Sequence, residues 1–348
     1  MSGNSNNNIR FKVGYVEGIL FDPKRSAWSG FGPRPIRTAV WYPAAPNSIE
    51  KLATAGSSEN PWFILGKQAE KATLASDHTH YPVVLISHGT GGSAQGMSWL
   101  AIRLARQGYI ALAVSHHGNT AAEPYCAEGF ACWWERAHDL TVALDQLCHE
   151  NIFSGRVDLS KVYAAGFSLG AYTVLALAGA ITDMQQFTHW NKQFAGGRGP
   201  REFPDLDDKI EQLMAESAVF RQSMSQHGQS YHDPRLSAVV LYAPAPPVRA
   251  FITQSLAQIK LPVCIMVGQA DKEAPYKKCA CWLDLNLPNS QLILLGDEVG
   301  HYVFLCEATE HGKALAPDIC CDPDGVDRHK IHNQAASAAV ALFRSAET

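Results

Sequence analysis

From residue 82 onward the chain alternates short, wholly apolar runs with stretches of helical periodicity. Apolar runs fall at 82–87, 109–115, 162–167, 238–242, 263–267 and 291–295. Each has the length of a strand buried on both faces. Helical spacing appears at 99–107, closed by Gly108, and at 134–148, 169–181, 248–258, 276–286 and 329–343. This alternation predicts an α/β fold: a mostly parallel central sheet with helices on both faces and right-handed crossovers. The first part reads differently. Residues 11–21 and 37–42 are β-rich and predict an antiparallel pair around a loop carrying Pro23, Gly30, Gly32, Pro33 and Pro35. Residues 45–80 are mixed and polar, and predict a long surface connection with a short helix near 62–75.

One segment breaks the rhythm. Residues 183–235 are too long for an ordinary loop in a compact domain. They hold Phe187, Trp190, Phe194, the turn signal Gly196-Gly197-Arg198-Gly199-Pro200 and an acidic-start helix near 205–225. The segment directly follows the helix at 169–181 and is expected to be a helical lid or cap. The organisation read here is a disordered lead at 1–10 and one domain at 11–348 that contains this insertion.

Composition narrows the class. The 348 residues are 46% apolar and 18% charged, with a net charge of −4. Disorder is excluded by the apolar content. No basic cluster suits nucleic acid, and no apolar run approaches the roughly 18 residues of a membrane span. The first ten residues carry no apolar signal region, so the chain as numbered reads as cytoplasmic, or as periplasmic or secreted if a signal peptide has been removed. Nine cysteines are present. Cys279-x-Cys281 with Cys320-Cys321 does not fit the usual two- to four-residue gap of structural zinc ligands.

The chemistry concentrates at run ends. Gly166-Phe167-Ser168-Leu169-Gly170 is G-x-S-x-G between an apolar strand and an apolar helix. That setting is a nucleophile elbow, with Ser168 exposed at the carboxyl end of the sheet. His88-Gly89-Thr90-Gly91-Gly92 follows the run at 82–87 and resembles an oxyanion loop. Its expected donors are the N–H groups of Thr90 and of Leu169. A serine nucleophile needs a base, and the base needs an orienting acid, in the chain order Ser, acid, His. Asp271 follows the run at 263–267, with Glu273 as nearby rival and Asp297 as a weaker one. His301 follows the run at 291–295 by a short loop. His116 and His117 end another run but lie in the wrong order, and structural roles are expected for them. This chemistry needs neither a metal nor an organic cofactor.

These features together resemble an α/β-hydrolase of the predicted dienelactone hydrolase and platelet-activating factor acetylhydrolase-like group. The matching stretches are 37–43 (RTAVWYP), 81–92 (YPVVLISHGTGG), 133–139 (WWERAHD), 162–170 (VYAAGFSLG), the Asp271 and His301 loops, and 319–329 (ICCDPDGVDRH). The resemblance implies a serine ester hydrolase acting through an acyl-enzyme. Dienelactone hydrolase proper uses a cysteine nucleophile, so Ser168 argues against that lactone chemistry. The resemblance also implies that relatives are often exported, which a bridge from Cys306 to Cys320 or Cys321 and a second between Cys126 and Cys132 would suit. Phe130, Trp133, Trp134, Phe167, Tyr302 and Phe304 are aromatics near the motif loops, and with His88 they are candidates for the substrate pocket. The expected substrate is a small or medium carboxylic ester with an apolar part; the resemblance alone narrows it to short-chain phospholipid esters. The competing readings are a peptidase or acyltransferase with the same three residues, and a non-catalytic binding protein on the same fold.

Overall fold

The six apolar runs become strands because their side chains have no polar face to show water. A computed structural model describes residues 11–194 and 199–347; the lead expected at 1–10 lies outside the described residues. The strands are β1 (Lys12–Ser26), β2 (Pro33–Ala44), β3 (Lys51–Gly56), β4 (Pro61–Glu70), β5 (Tyr81–Ser87), β6 (Ile110–Ser115), β7 (Val157–Phe167), β8 (Leu236–Tyr242), β9 (Val263–Val267), β10 (Ser290–Leu294) and β11 (Glu307–Ala308). Every residue of β6 and of β9 is buried. The sheet runs β10-β9-β8-β7-β5-β6-β2-β1-β4-β11, with β3 on β4. From β10 to β6 all neighbours are parallel. The ends of β5, β7, β8, β9 and β10 therefore open at one edge. β2 pairs antiparallel with β6 and with β1. This is the α/β-hydrolase fold, a mostly parallel central sheet covered by helices.

The covering helices include α1 (Ser98–Arg106), α2 (Ala127–Ala131), α3 (Glu135–Leu147) and α4 (Leu169–Leu177), and the chain ends in the helix Arg328–Ser345. All nine residues of α4 are buried. Gly108 takes φ +97°, the left-handed stop that its place after a helix predicts.

Three expectations fail, the first being the helix over 248–258, which is a 3-10 turn at Pro246–Ala250 and a single turn at Thr253–Leu256. The helix near 62–75 is instead the hairpin of β3 and β4. Its run Trp62-Phe63-Ile64-Leu65 is aromatic and branched, which suits a pleated strand, and Ala69 and Glu70 find partners in Gly14 and Tyr15 of β1. Gly66, at φ +115°, absorbs the bulge beside Ala53. The disulfides implied by the resemblance are also absent, and all nine cysteines are free. Cys306 is buried with its sulfur 3.3 Å from both the Gly96 carbonyl and Ser98 Oγ. Cys126 and Cys132 cap opposite ends of α2. Six residues along a helix span about 9 Å, too far for one bridge.

The described residues of the insertion at 183–235 include the helices α5 (Met184–Phe194), α6 (Leu206–Glu216) and α7 (Ala218–Met224). The helix expected near 205–225 is split at Ser217, whose Oγ accepts the Phe220 N–H at 3.1 Å and caps α7. The insertion is anchored to α3. Trp134 Nε1 donates to the carbonyl and hydroxyl of Ser223 at 3.0 Å, and Ser223 Oγ donates to Glu135 at 2.6 Å. Phe187 packs edge-on against Trp133 at 4.9 Å.

Candidate active site

Ser168 sits between β7 and α4 at φ 55°, ψ −116°, a backbone conformation that side chains rarely adopt. Close packing forces it. A Cβ on Gly166 would lie 2.0 Å from the Gly170 carbonyl oxygen, and one on Gly170 would lie 2.0 Å from the Ser87 carbonyl oxygen. Both neighbours are backbone and cannot swing aside. Gly170→Ala is therefore expected to destabilise the protein by about 3 kcal/mol or more, measured by urea unfolding, because β5 must shift. A loss below about 1 kcal/mol would show that the turn yields. The strained serine is held by hydrogen bonds: its N–H donates to Tyr242 O at 2.9 Å, and its carbonyl accepts from Ala171 N at 3.0 Å and Ala245 N at 3.3 Å.

The three residues singled out in the sequence meet at this edge. Ser168 Oγ donates to His301 Nε2 at 3.0 Å, and His301 Nδ1 donates to Asp271 Oδ2 at 2.7 Å. The other Asp271 oxygen accepts the Ala274 N–H at 2.7 Å. Asp271 follows β9, and His301 opens a single 3-10 turn, His301–Phe304, after β10. A Cβ on Gly268 would lie 2.0 Å from the Val299 carbonyl, so the two loops touch backbone to backbone. Ser168 and His301 are each 7% exposed, enough to be reached from solvent while largely dry. The rivals lie elsewhere: Glu273 is exposed, and Asp297, also exposed, accepts from Gln269 Nε2.

Thr90 lies in the turn after β5, where a Cβ on Gly89 would come within 3.1 Å of Ser168 Cβ. Leu169 is the first residue of α4, so its N–H has no intrahelical acceptor. Among the described residues neither N–H donates to a protein acceptor. An arrangement of this kind can hold an oxyanion beside the serine.

The aromatic candidates divide. Phe167 lies 4.9 Å from the His301 ring and 6.0 Å from Phe304, and Tyr302 meets His301 edge-on at 5.3 Å. Tyr302 also accepts from Arg201 of the insertion at 3.3 Å. Phe130 is buried against Phe203 and Tyr125. Trp133 is buried between Tyr172 and Phe187. Trp134 and His88 are corrected to buried positions held by hydrogen bonds, away from substrate. Both are buried, Trp134 bound to Ser223 as above and His88 bound through both ring nitrogens to backbone.

Sequence reading missed a second cluster directly beneath the Thr90 turn. Ser87 Oγ lies 2.9 Å from His116 Nε2, and His116 Nδ1 lies 3.1 Å from Asp139 Oδ2. Here again are a serine, a histidine and an aspartate in a hydrogen-bonded row. These three are at most 1% exposed, and Ser87 Oγ is also bound by Arg136 Nη2 at 3.2 Å. Substrate cannot reach them. Burial and then the Arg136 charge push the His116 pKa down to about 3, so the ring is neutral. Although burial opposes it, the charges of Arg34 and Arg25 hold the Asp139 carboxyl well below its usual range. Burial lowers Arg136 itself to about 9. The available signal was in the stretch 133–139, where Arg136 and Asp139 sit one helical turn apart on the apolar face of α3.

The sheet order and the elbow define the class: the chain has the α/β-hydrolase fold. The family model for platelet-activating factor acetylhydrolase, isoform II, matches residues 65–133, which include the Thr90 turn and end before Ser168. The chain is 24% identical to a cutinase of Thermobifida fusca over 65% of its own length and 72% of the relative's. It is 26% identical to a bis(hydroxyethyl) terephthalate hydrolase of Streptomyces coelicolor over 46% of its length and 48% of that protein's. A ferulic acid esterase from Streptomyces cinnamoneus superposes with a TM-score of 0.62 at 16% identity, covering 96% of this chain and 89% of the other.

Proposed function

We propose that the protein is a serine hydrolase of carboxylic esters that works through an acyl-enzyme. The observation that carries this reading is the continuous hydrogen-bond row from Ser168 Oγ through His301 to Asp271 at a strained elbow. Ser168 Oγ attacks the ester carbonyl as His301 Nε2 takes its proton. Asp271 keeps the remaining proton on Nδ1 and stabilises the imidazolium. The Thr90 and Leu169 N–H groups receive the oxyanion. His301 then protonates the leaving alcohol, and water activated by the same ring cleaves the acyl-enzyme.

The substrate is an ester with an apolar part. The aromatic rings of Phe167 and Tyr302 beside His301 support this, as do relatives named for cutin and terephthalate ester hydrolysis and a structural neighbour named for ferulic acid. A cap role for the 183–235 insertion is supported by Arg201, which donates to Tyr302 beside His301. Among the described residues no helix is long and apolar enough to cross a membrane.

The test is labelling by a fluorophosphonate, which phosphonylates an activated serine. Wild type is expected to label at Ser168 and Ser168→Ala to remain unlabelled; an unreactive wild type would refute the reading. A chain-length series of p-nitrophenyl esters then measures the pocket. Turnover of matched anilides at a comparable rate would favour a peptidase instead.

A further inference from the structure

The Thr90 turn is held from below by groups that take no part in the proposed proton transfers. Gly89 C=O accepts the His88 Nδ1–H at 2.6 Å and the Gly92 N–H at 3.2 Å. The peptide between Gly89 and Thr90 is planar and trans, so its N–H points opposite to its C=O. Fixing the Gly89 oxygen therefore aims the Thr90 N–H. His88 is itself fixed. Its Nε2 accepts the His116 N–H at 3.1 Å, and its carbonyl accepts from Arg136 Nη2. On the far side of the turn, Gly91 N–H donates to Asn119 Oδ1 at 2.7 Å, and Gly91 C=O accepts from Tyr125 OH at 2.8 Å. The flanking groups are engaged, and the Thr90 N–H stays free among the described residues.

We propose that His88 is a positioning residue for oxyanion stabilisation: its Nδ1–H, held by the His116 backbone, turns the Gly89–Thr90 peptide so that the Thr90 N–H faces the alkoxide formed at Ser168. This inference rests on the serine hydrolase reading. The partners dictate the tautomer. Nδ1 faces an acceptor and Nε2 faces a donor, so the ring is neutral with its proton on Nδ1. A doubly protonated ring would set Nε2–H against the His116 N–H. Burial, followed by the charge of Arg136, keeps the pKa well below the ordinary histidine value, in keeping with that geometry.

The test compares His88→Asn with His88→Leu in the full-length protein. The asparagine amide can place an N–H near the site of Nδ1; leucine fills comparable volume with no donor. Three quantities are read: kcat and KM for a p-nitrophenyl ester, the inhibition constant of phenylboronic acid, and the unfolding midpoint. In the boronate adduct Ser168 Oγ bonds to boron and a boron-bound oxygen occupies the oxyanion position. For His88→Leu kcat is expected to fall about 30- to 100-fold with KM changed less than about threefold, and boronate binding to weaken by the same factor as kcat. For His88→Asn both are expected within about fivefold of wild type. A packing role alone would rank leucine above asparagine and would not couple kcat to boronate affinity. The proposal is overturned if His88→Leu turns over within about threefold of wild type, or if His88→Asn loses more than about 30-fold. The second criterion stands even if the leucine variant does not fold. Ser168→Ala, assayed alongside, separates the levels. If it keeps wild-type turnover, the nucleophile assignment and this inference fall together. If it is inactive while the two His88 variants behave alike, only this inference falls.

Discussion

Replacing His301 with alanine is expected to lower ester turnover by about 10³-fold or more while leaving the unfolding midpoint nearly unchanged. Among the described residues the imidazole is the only group bonded to Ser168 Oγ on one side and to a buried carboxylate on the other. Without it the hydroxyl must attack with its proton in place. Because nucleophile and base act as a unit, the Ser168→Ala, His301→Ala double variant should fall to the same floor as either single change. Asp271→Asn gives a sharper check. The Ala274 N–H already takes Oδ1 at 2.7 Å, so it would hold the amide oxygen and turn the amide NH₂ towards His301 Nδ1. That forces the imidazole proton onto Nε2, where it can no longer accept from serine, and a loss of about 10⁴-fold in kcat is expected. Steady-state kinetics on a p-nitrophenyl ester measures all of these. A near-normal rate for His301→Ala would mean that another group is the base.

The fold is expected to be acid-labile, losing roughly 4 kcal/mol or more of stability between pH 7 and pH 5. Burial, with the Arg136 charge for His116 and the Arg103 charge for His332, lowers both pKa values to about 3. An unfolded histidine titrates near 6.5. A depressed folded pKa means that the unfolded chain binds more protons, so the stability is fully present above about pH 6.5 and is lost as pH falls towards the folded pKa. At pH 5 each such ring costs about 2 kcal/mol. His88 shifts in the same direction and adds to the loss. Asp139 extends it: its depressed carboxyl stabilises the fold above about pH 4 and loses that contribution on further acidification. Urea unfolding at pH 7, 6 and 5 would show the trend, and its slope would give the protons taken up on unfolding. Stability independent of pH over that range would contradict the burial argument. His332→Gln should flatten the curve, since that ring stacks on Trp99 and among the described residues its hydrogen bond is to the Val303 carbonyl.

Much of the architecture was legible because it rests on local pattern. Apolar runs of strand length, a helix stop at Gly108 and the glycines around Ser168 each carry their own reason, and each appears where expected. The placement of Asp271 and His301 followed from chain order together with the shared edge of parallel strands. The β3–β4 hairpin was not legible, since its pairing with β1 joins segments about fifty residues apart and no local periodicity reports that. The single helix expected near 205–225 hid a break that a capping serine makes favourable.

Chain order and residue type alone therefore determined the parallel core, the elbow and which serine, aspartate and histidine meet at the sheet edge, because strands and tight turns are encoded within a few neighbouring positions. Tertiary structure alone decided which of two Ser–His–Asp rows solvent can reach. Ser87, His116 and Asp139 have the same chemistry as Ser168, His301 and Asp271, but they lie under the sheet edge with an arginine against the hydroxyl. It also decided that His88 faces backbone rather than substrate. Burial is a sum over contacts distant in sequence, and no short stretch of residues contains it.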